Sequence, residues 1–202
     1  MFDKHTRKLI DLGLSVPARL LYNAGISANF ITVSGFAIGI LSCFASALGF
    51  YPLALAGLLV NRLFDGLDGA VARIAQHTDR GGYLDICLDF IFYAAFALSF
   101  AVADPENNAL PVAVLLFSFT GTGATFLAFA VIAAKRGLET ESQGKKSFYY
   151  LEGLAEGAET IVAFVLMCLF PSYVPIIAYS FAALCIISTI ARLISGTMVL
   201  SR

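Results

Sequence analysis

Charge is what this sequence has least of. Only 13% of its 202 residues are Asp, Glu, Lys or Arg, against about 25% in a soluble domain. With 59% hydrophobic residues and a mean hydropathy of +0.83, that shortage excludes a disordered chain, a nucleic-acid binder and most soluble enzymes. An excess of one sign is also missing. Thirteen Lys+Arg face fourteen Asp+Glu, for a net charge of −1, so there is no bulk attraction to polyanions. Cysteine is scarce: Cys43, Cys87, Cys168 and Cys185 each sit in an apolar run, with no CxxC spacing. That excludes a disulfide framework and reads as small buried hydrophobes. The first 28 residues lack the continuous apolar core of a cleaved signal peptide. No internal repeat stands out.

What is there is long apolar runs. A membrane-spanning helix needs about 20 apolar residues, and six stretches come close to that length or exceed it: 30–50, 52–75, 82–103, 110–134, 155–170 and 173–200. The loop at Gly49–Pro52 and the one at Pro171–Tyr173 carry no charge, and Asp104–Asn108 carries only acids. Basic residues gather instead at the N-terminus, between Arg73 and Arg80, between Lys135 and Lys146, and near the C-terminus. By the positive-inside rule both termini are cytoplasmic, and polar chemistry belongs to that face. The expected fold is all-α: one domain over 1–202, with an interfacial amphipathic helix in 1–27 and a six-helix membrane bundle in 28–202. In that first helix Phe2, Leu9, Leu12, Val16 and Leu20 form an apolar stripe, with Lys4, Arg7, Lys8 and Arg19 off it. Pro17 is expected to kink or divide it.

The acids inside the apolar runs are the strongest signal. Asp65 and Asp68 are three residues apart, and Asp85 and Asp89 four apart, so each pair shares a helix face. A short turn between the two helices would bring the pairs together. Carboxylates crowded in an apolar setting repel unless a cation lies among them. Oxygen-only ligands suit a hard divalent cation, and four of them suit a two-metal site for phosphoryl displacement. Gly66, Gly69, Gly81 and Gly82 leave room for a ligand or a close backbone. A plainer alternative pairs the acids with Arg62, Arg73 and Arg80 as salt bridges, but four acids at two helical spacings, flanked by glycines, argue against it.

These residues resemble a known motif. The CDP-alcohol phosphotransferase (phosphatidyltransferase) family carries D-x2-D-G-x2-A-R, then seven or eight residues, then G-x3-D-x3-D. Here Asp65, Asp68, Gly69, Ala72 and Arg73 are followed, after seven residues, by Gly81, Asp85 and Asp89. The likeness extends over most of the chain and is strongest to bacterial inner-membrane members. It implies that Asp65, Asp68, Asp85 and Asp89 hold two divalent cations, Mg²⁺ or Mn²⁺, with Asp89 also the general base. It implies that Gly69, Arg73 and Thr78 contact a CDP moiety. Asn29 and Thr32 either help to bind the nucleotide or cap a helix start. The implied reaction is attack of an acceptor hydroxyl on the β-phosphorus of a CDP-lipid, with CDP-diacylglycerol the expected donor, and release of CMP. The implied setting is phospholipid synthesis at the inner membrane, in contact with the bilayer, with no nucleic acid and with homodimers common among relatives.

The acceptor stays open. Members that use glycerol 3-phosphate commonly carry Pro and Lys where this chain has Ile86 and Phe90. Glu152, Glu156 and Glu159 share a face, and Arg192 stands inside the last run; they either pair or shape the acceptor pocket. Lys135, Arg136, Lys145 and Lys146 could meet a phosphate, and Arg62 is either a structural partner of the acids or a phosphate contact. The alternative from another class is a transporter or cation channel. That expects acids at mid-membrane and repeated halves, whereas these acids cluster at one end and the motif occurs once.

Overall fold

The computed structural model describes residues 3–137 and 157–201, with side chains from residue 13 onward. Within these residues the chain is seven α-helices without a strand: α1 Asp3–Asn23, α2 Ala28–Ala47, α3 Tyr51–Ala75, α4 Asp79–Ala103, α5 Pro105–Lys135, α6 Gly157–Leu169 and α7 Val174–Leu200, with a 3₁₀ turn at Pro171–Tyr173 before α7. Among the described residues, four segments are long and apolar enough to cross a membrane: α2, α4, α5 and Pro171–Leu200. The run read at 52–75 does become a helix of 25 residues, but Arg62, Asp65, Asp68 and Arg73 lower its apolarity. The run read at 155–170 is described only from Gly157, as 13 helical residues.

Helix α1 is continuous through Pro17. Phe2 and the side chains of Leu9, Leu12, Lys4, Arg7 and Lys8 lie outside the described residues. Of the expected apolar stripe, Val16 and Leu20 are exposed. A second face, Leu14, Ala18 and Leu21, packs on Ala70 and Val71 of α3. The helix is therefore docked on the bundle by one face and leaves apolar side chains outside on another.

Small residues on α2 let α3 come close. Ile31, Gly35, Gly39, Ser42 and Ser46 form its buried stripe. A Cβ added at Gly35 would stand 2.6 Å from Phe64 Cβ, and one at Gly57 of α3 would stand 2.5 Å from Ser42 Cβ. Close backbones of this kind are how membrane helices gain packing where lipid removes most of the hydrophobic drive. Asn61 closes the contact by donating its Nδ2 to Gly35 O at 2.9 Å.

Helix α4 is the axis of the core. Phe92, Phe96 and Phe100 are almost fully buried. Phe96 meets Phe164 of α6 at 5.0 Å between ring centroids, and Phe100 stacks on Tyr51 of α3 at 5.8 Å. Spaced at three and four residues, Asp85, Asp89, Phe92, Phe96 and Phe100 lie on one stripe. Aromatic packing thus fixes the rotation of the helix that carries two of the acids. Cys43, Cys168 and Cys185 are buried and Cys87 partly so, all as free thiols, as the sequence indicates. The outer surface is apolar, with Leu41, Phe44, Leu98, Phe117 and Val131 exposed.

Gly57→Val forces a side chain into Ser42 and is expected to cost about 1–3 kcal/mol by overpacking, read as a lower melting temperature in detergent. Gly13→Ala meets nothing within 4 Å and should hold or raise it, since alanine favours helix by about 1 kcal/mol over glycine. An unchanged melting temperature for Gly57→Val would mean that α2 and α3 do not approach this closely.

Candidate functional site

Three residues, Gln76 to Thr78, connect α3 to α4. The turn is tight enough to put Gln76 at φ 74°, a conformation that strains a residue with a side chain. Thr78 caps α4, its Oγ1 accepting from Gly81 N at 3.1 Å. This turn brings the end of α3 against the start of α4, and the two acid pairs with it.

Asp65, Asp68 and Asp85 converge, each offering an oxygen within 4.8 Å of the others. Asp68 is buried and Asp85 exposed, so the cluster reaches from the bundle interior to its surface. Thr32 of α2 donates to Asp68 Oδ2 at 2.6 Å and orients it. An all-oxygen set with this spacing fits a hard divalent cation. Asp89 borders the same small space but stands outside this group of three. Its Oδ1 accepts from Arg62 Nη2 at 2.9 Å, so a second ion held through Asp89 would compete with the arginine for that oxygen.

Arg62 is thus a partner of the acids. Its Nη1 also lies 3.5 Å from Asp65 Oδ2. Its Nε and Nη2 donate to Asn61 Oδ1, at 2.8 and 2.6 Å, and its Nη1 donates to Tyr93 Oη at 2.9 Å. The guanidinium carbon lies 5.2 Å from the ring centroids of both Phe92 and Tyr93, within cation–π range.

Two cavities flank α4. The first, about 400 Å³, is lined by Asn29 and Thr32 of α2, Asp68 and Gly69 of α3, the Gln76–Thr78 turn, and Gly81, Gly82 and Asp85 of α4. Ser27 caps α2, its Oγ accepting from Phe30 N at 3.3 Å. The capping role weighed for Asn29 and Thr32 is therefore filled, and both face the cavity. The starts of α2 and α4 border it, and helix N-termini attract anions. Gly69 has only Arg73 Nη1 near a would-be Cβ, at 3.6 Å. Packing among the described residues does not demand glycine there, and Gly69 lines the cavity. Arg73 itself is exposed and is not part of the cavity wall.

The second cavity, about 430 Å³, lies between α4, α5, α6 and α7. Asp85 and Asp89 form one wall, with Phe90, Tyr93, Leu116, Phe119 and Phe126 around them. Phe90 fits because residue 123 is glycine: a Cβ there would stand 2.6 Å from the Phe90 ring. Arg192 is buried, lines this cavity, and donates to Thr122 O at 3.4 Å. No short motif in the sequence marks this cavity, because four helices contribute to it. Glu159 is half-buried at the start of α6. Glu152, Glu156, Lys145 and Lys146 lie outside the described residues, and Arg136 donates to Leu200 O at 2.7 Å, tying the end of α5 to that of α7.

Comparison with known proteins places this geometry. Residues 25–194 match the CDP-alcohol phosphatidyltransferase family. Inner membrane protein YnjF of Escherichia coli (strain K12) is 50% identical over 200 residues, covering 99% of this chain and 97% of that protein. Among solved structures, the phosphatidylinositol phosphate synthase of Mycobacterium tuberculosis with CDP-DAG bound has a TM-score of 0.72 at 19% identity, covering 91% of this chain and 92% of that one. The same synthase in complex with manganese and citrate gives a TM-score of 0.64 at 22% identity, covering 91% and 88%. The solved structures share the fold, while the family match and the Escherichia coli relative share the sequence along nearly all of it. This chain belongs to the CDP-alcohol phosphatidyltransferase family.

Proposed function

We propose that this protein transfers a phosphatidyl group from CDP-diacylglycerol to a hydroxyl acceptor, releasing CMP, at the cytoplasmic boundary of the inner membrane. The observation that carries this reading is the acid cluster standing where two cavities meet, with Asp85 in the wall of both. The bundle has six spans in this reading, α2 to α7, with α1 on the cytoplasmic surface and both termini on that side. All four acids lie in the halves of α3 and α4 next to the connecting turn, which disfavours a continuous ion path through the bundle.

The first cavity takes the nucleotide. Asn29, Thr32 and Thr78 offer polar contacts, Gly69 lets the ligand reach the backbone, and the starts of α2 and α4 favour the pyrophosphate. Arg73, exposed beside Gly69, supplies positive charge at its edge. Asp65, Asp68 and Asp85 would hold Mg²⁺ or Mn²⁺. Bound there, the metal neutralises the pyrophosphate and the charge left on departing CMP. The acceptor enters the second cavity, where Asp89 takes the proton from its hydroxyl as that oxygen bonds to the β-phosphorus. The bond to the CMP oxygen breaks, and CMP leaves through the first cavity.

Protein in nanodiscs with Mg²⁺ and CDP-diacylglycerol is expected to release CMP with one member of a panel of alcohols and phospho-alcohols. Asp89→Asn should lower that rate by about 100-fold or more, the range of a lost general base, and still bind the CDP-lipid. Wild-type turnover in this mutant would remove Asp89 from the base role. Asp68→Ala should abolish Mn²⁺ binding at this site. Thr32→Val, which removes the hydroxyl that donates to Asp68, should weaken Mn²⁺ binding in the absence of nucleotide by about 10-fold. Unaltered Mn²⁺ titrations in both would place the metal elsewhere.

A further inference from the structure

Arg62 is held more firmly than charge balance alone requires. Asn61 accepts from two of its nitrogens, at 2.8 and 2.6 Å. Asn61 is in turn fixed to the α2 backbone through Gly35 O. Tyr93 takes a third nitrogen, and the rings of Phe92 and Tyr93 each lie 5.2 Å away. With these partners on α3 and α4, the guanidinium has one orientation. An arginine merely neutralising nearby acids in a mobile way would need none of this scaffold.

The contact with Asp89 is one-sided. Arg62 engages Oδ1 at 2.9 Å and leaves the other oxygen aside. Asp89 also lines the second cavity, and it borders the small space where Asp65, Asp68 and Asp85 converge. The terminal torsion of an aspartate is broad and two-fold, so a free carboxylate would swing between the acid cluster and the cavity. Pinning one oxygen stops that rotation.

We propose that Arg62 is a positioning residue: it clamps one carboxylate oxygen of Asp89 so that the other is presented to the second cavity. Under the transferase reading, on which this role rests, Arg62 aims the base at the acceptor and does not touch either substrate. Asp89 and Tyr93 are one helical turn apart on α4, so the helix that carries the acid also carries part of its clamp. Misaimed by a rotation, the base would lose the acceptor proton while the donor stayed bound in the first cavity.

The test compares Arg62→Gln, Arg62→Lys and Tyr93→Phe with wild type in nanodiscs. For Arg62→Gln, kcat should fall about 100-fold, the scale of a misplaced group, while affinity for CDP-diacylglycerol holds. Arg62→Lys keeps the charge without the fork and should recover part of the loss. Tyr93→Phe removes one hydroxyl, leaves the charges alone and should lower kcat less, which keeps the test open should Arg62→Gln fail to fold. A folded, donor-binding Arg62→Gln or Tyr93→Phe with wild-type kcat overturns the proposal. Manganese affinity reads the clamp without turnover. Released from Arg62, Asp89 can turn to the other acids, so Arg62→Gln should tighten Mn²⁺ binding more in the Asp89 background than in Asp89→Asn. Equal tightening in both overturns the clamp. Should wild type release no CMP with any acceptor, the transferase reading falls and the manganese cycle still decides the clamp.

Discussion

Carboxylates in an apolar bundle repel one another and resist leaving water, and Arg62 is the group that lets Asp65 and Asp89 face each other at all. A buried charge is tolerated when its hydrogen bonds are satisfied and its partner is close. Arg62 meets that condition through Asn61, Tyr93 and Asp89, with the rings of Phe92 and Tyr93 beside it. Asn61 reaches α2, and Phe92 heads the aromatic column that runs down α4. The polar end and the apolar core are therefore one construction. Loosening either would let α3 and α4 rotate and scatter the acids.

How much of this could be read beforehand depended on range in sequence. Spacing within a single helix is local, so the pairs Asp65–Asp68 and Asp85–Asp89 and their short connection were legible, and with them the family. The apolar runs became helices within a few residues of the expected ends. Direction was harder. Helix α4 is apolar on nearly all sides, so its sequence does not say which face turns inward, and the column of Phe92, Phe96 and Phe100 was not visible. The expected stripe on α1 was half the story, because docking on α3 uses Leu14, Ala18 and Leu21 instead. Arg62 was open between two roles because its partner Asp89 lies a helix away. Capping of α2 went to Ser27, a choice set by where the chain turns and not by residue type alone.

The two cavities differ in the way their contents would require. The first is bordered by glycines, hydroxyls and two helix starts, a setting for phosphate and a close backbone. The second is walled by phenylalanines with Arg192 buried at its side. Phe90 stands there because Gly123 makes space for its ring. The size of this cavity is therefore set jointly by α4 and α5, and the two positions constrain each other: a larger residue at 123 would displace the Phe90 ring.

Asp85 is the one residue of α4 that lines both cavities. Under the proposed reading, a donor seated in one and an acceptor in the other would meet at that shared wall. A single displacement would then need the incoming oxygen and the departing one in line across the phosphorus. Such an exchange turns the phosphorus over like an umbrella in wind. Isotopic oxygens marking the phosphate would make that inversion visible, because an ordinary phosphodiester carries two equivalent oxygens.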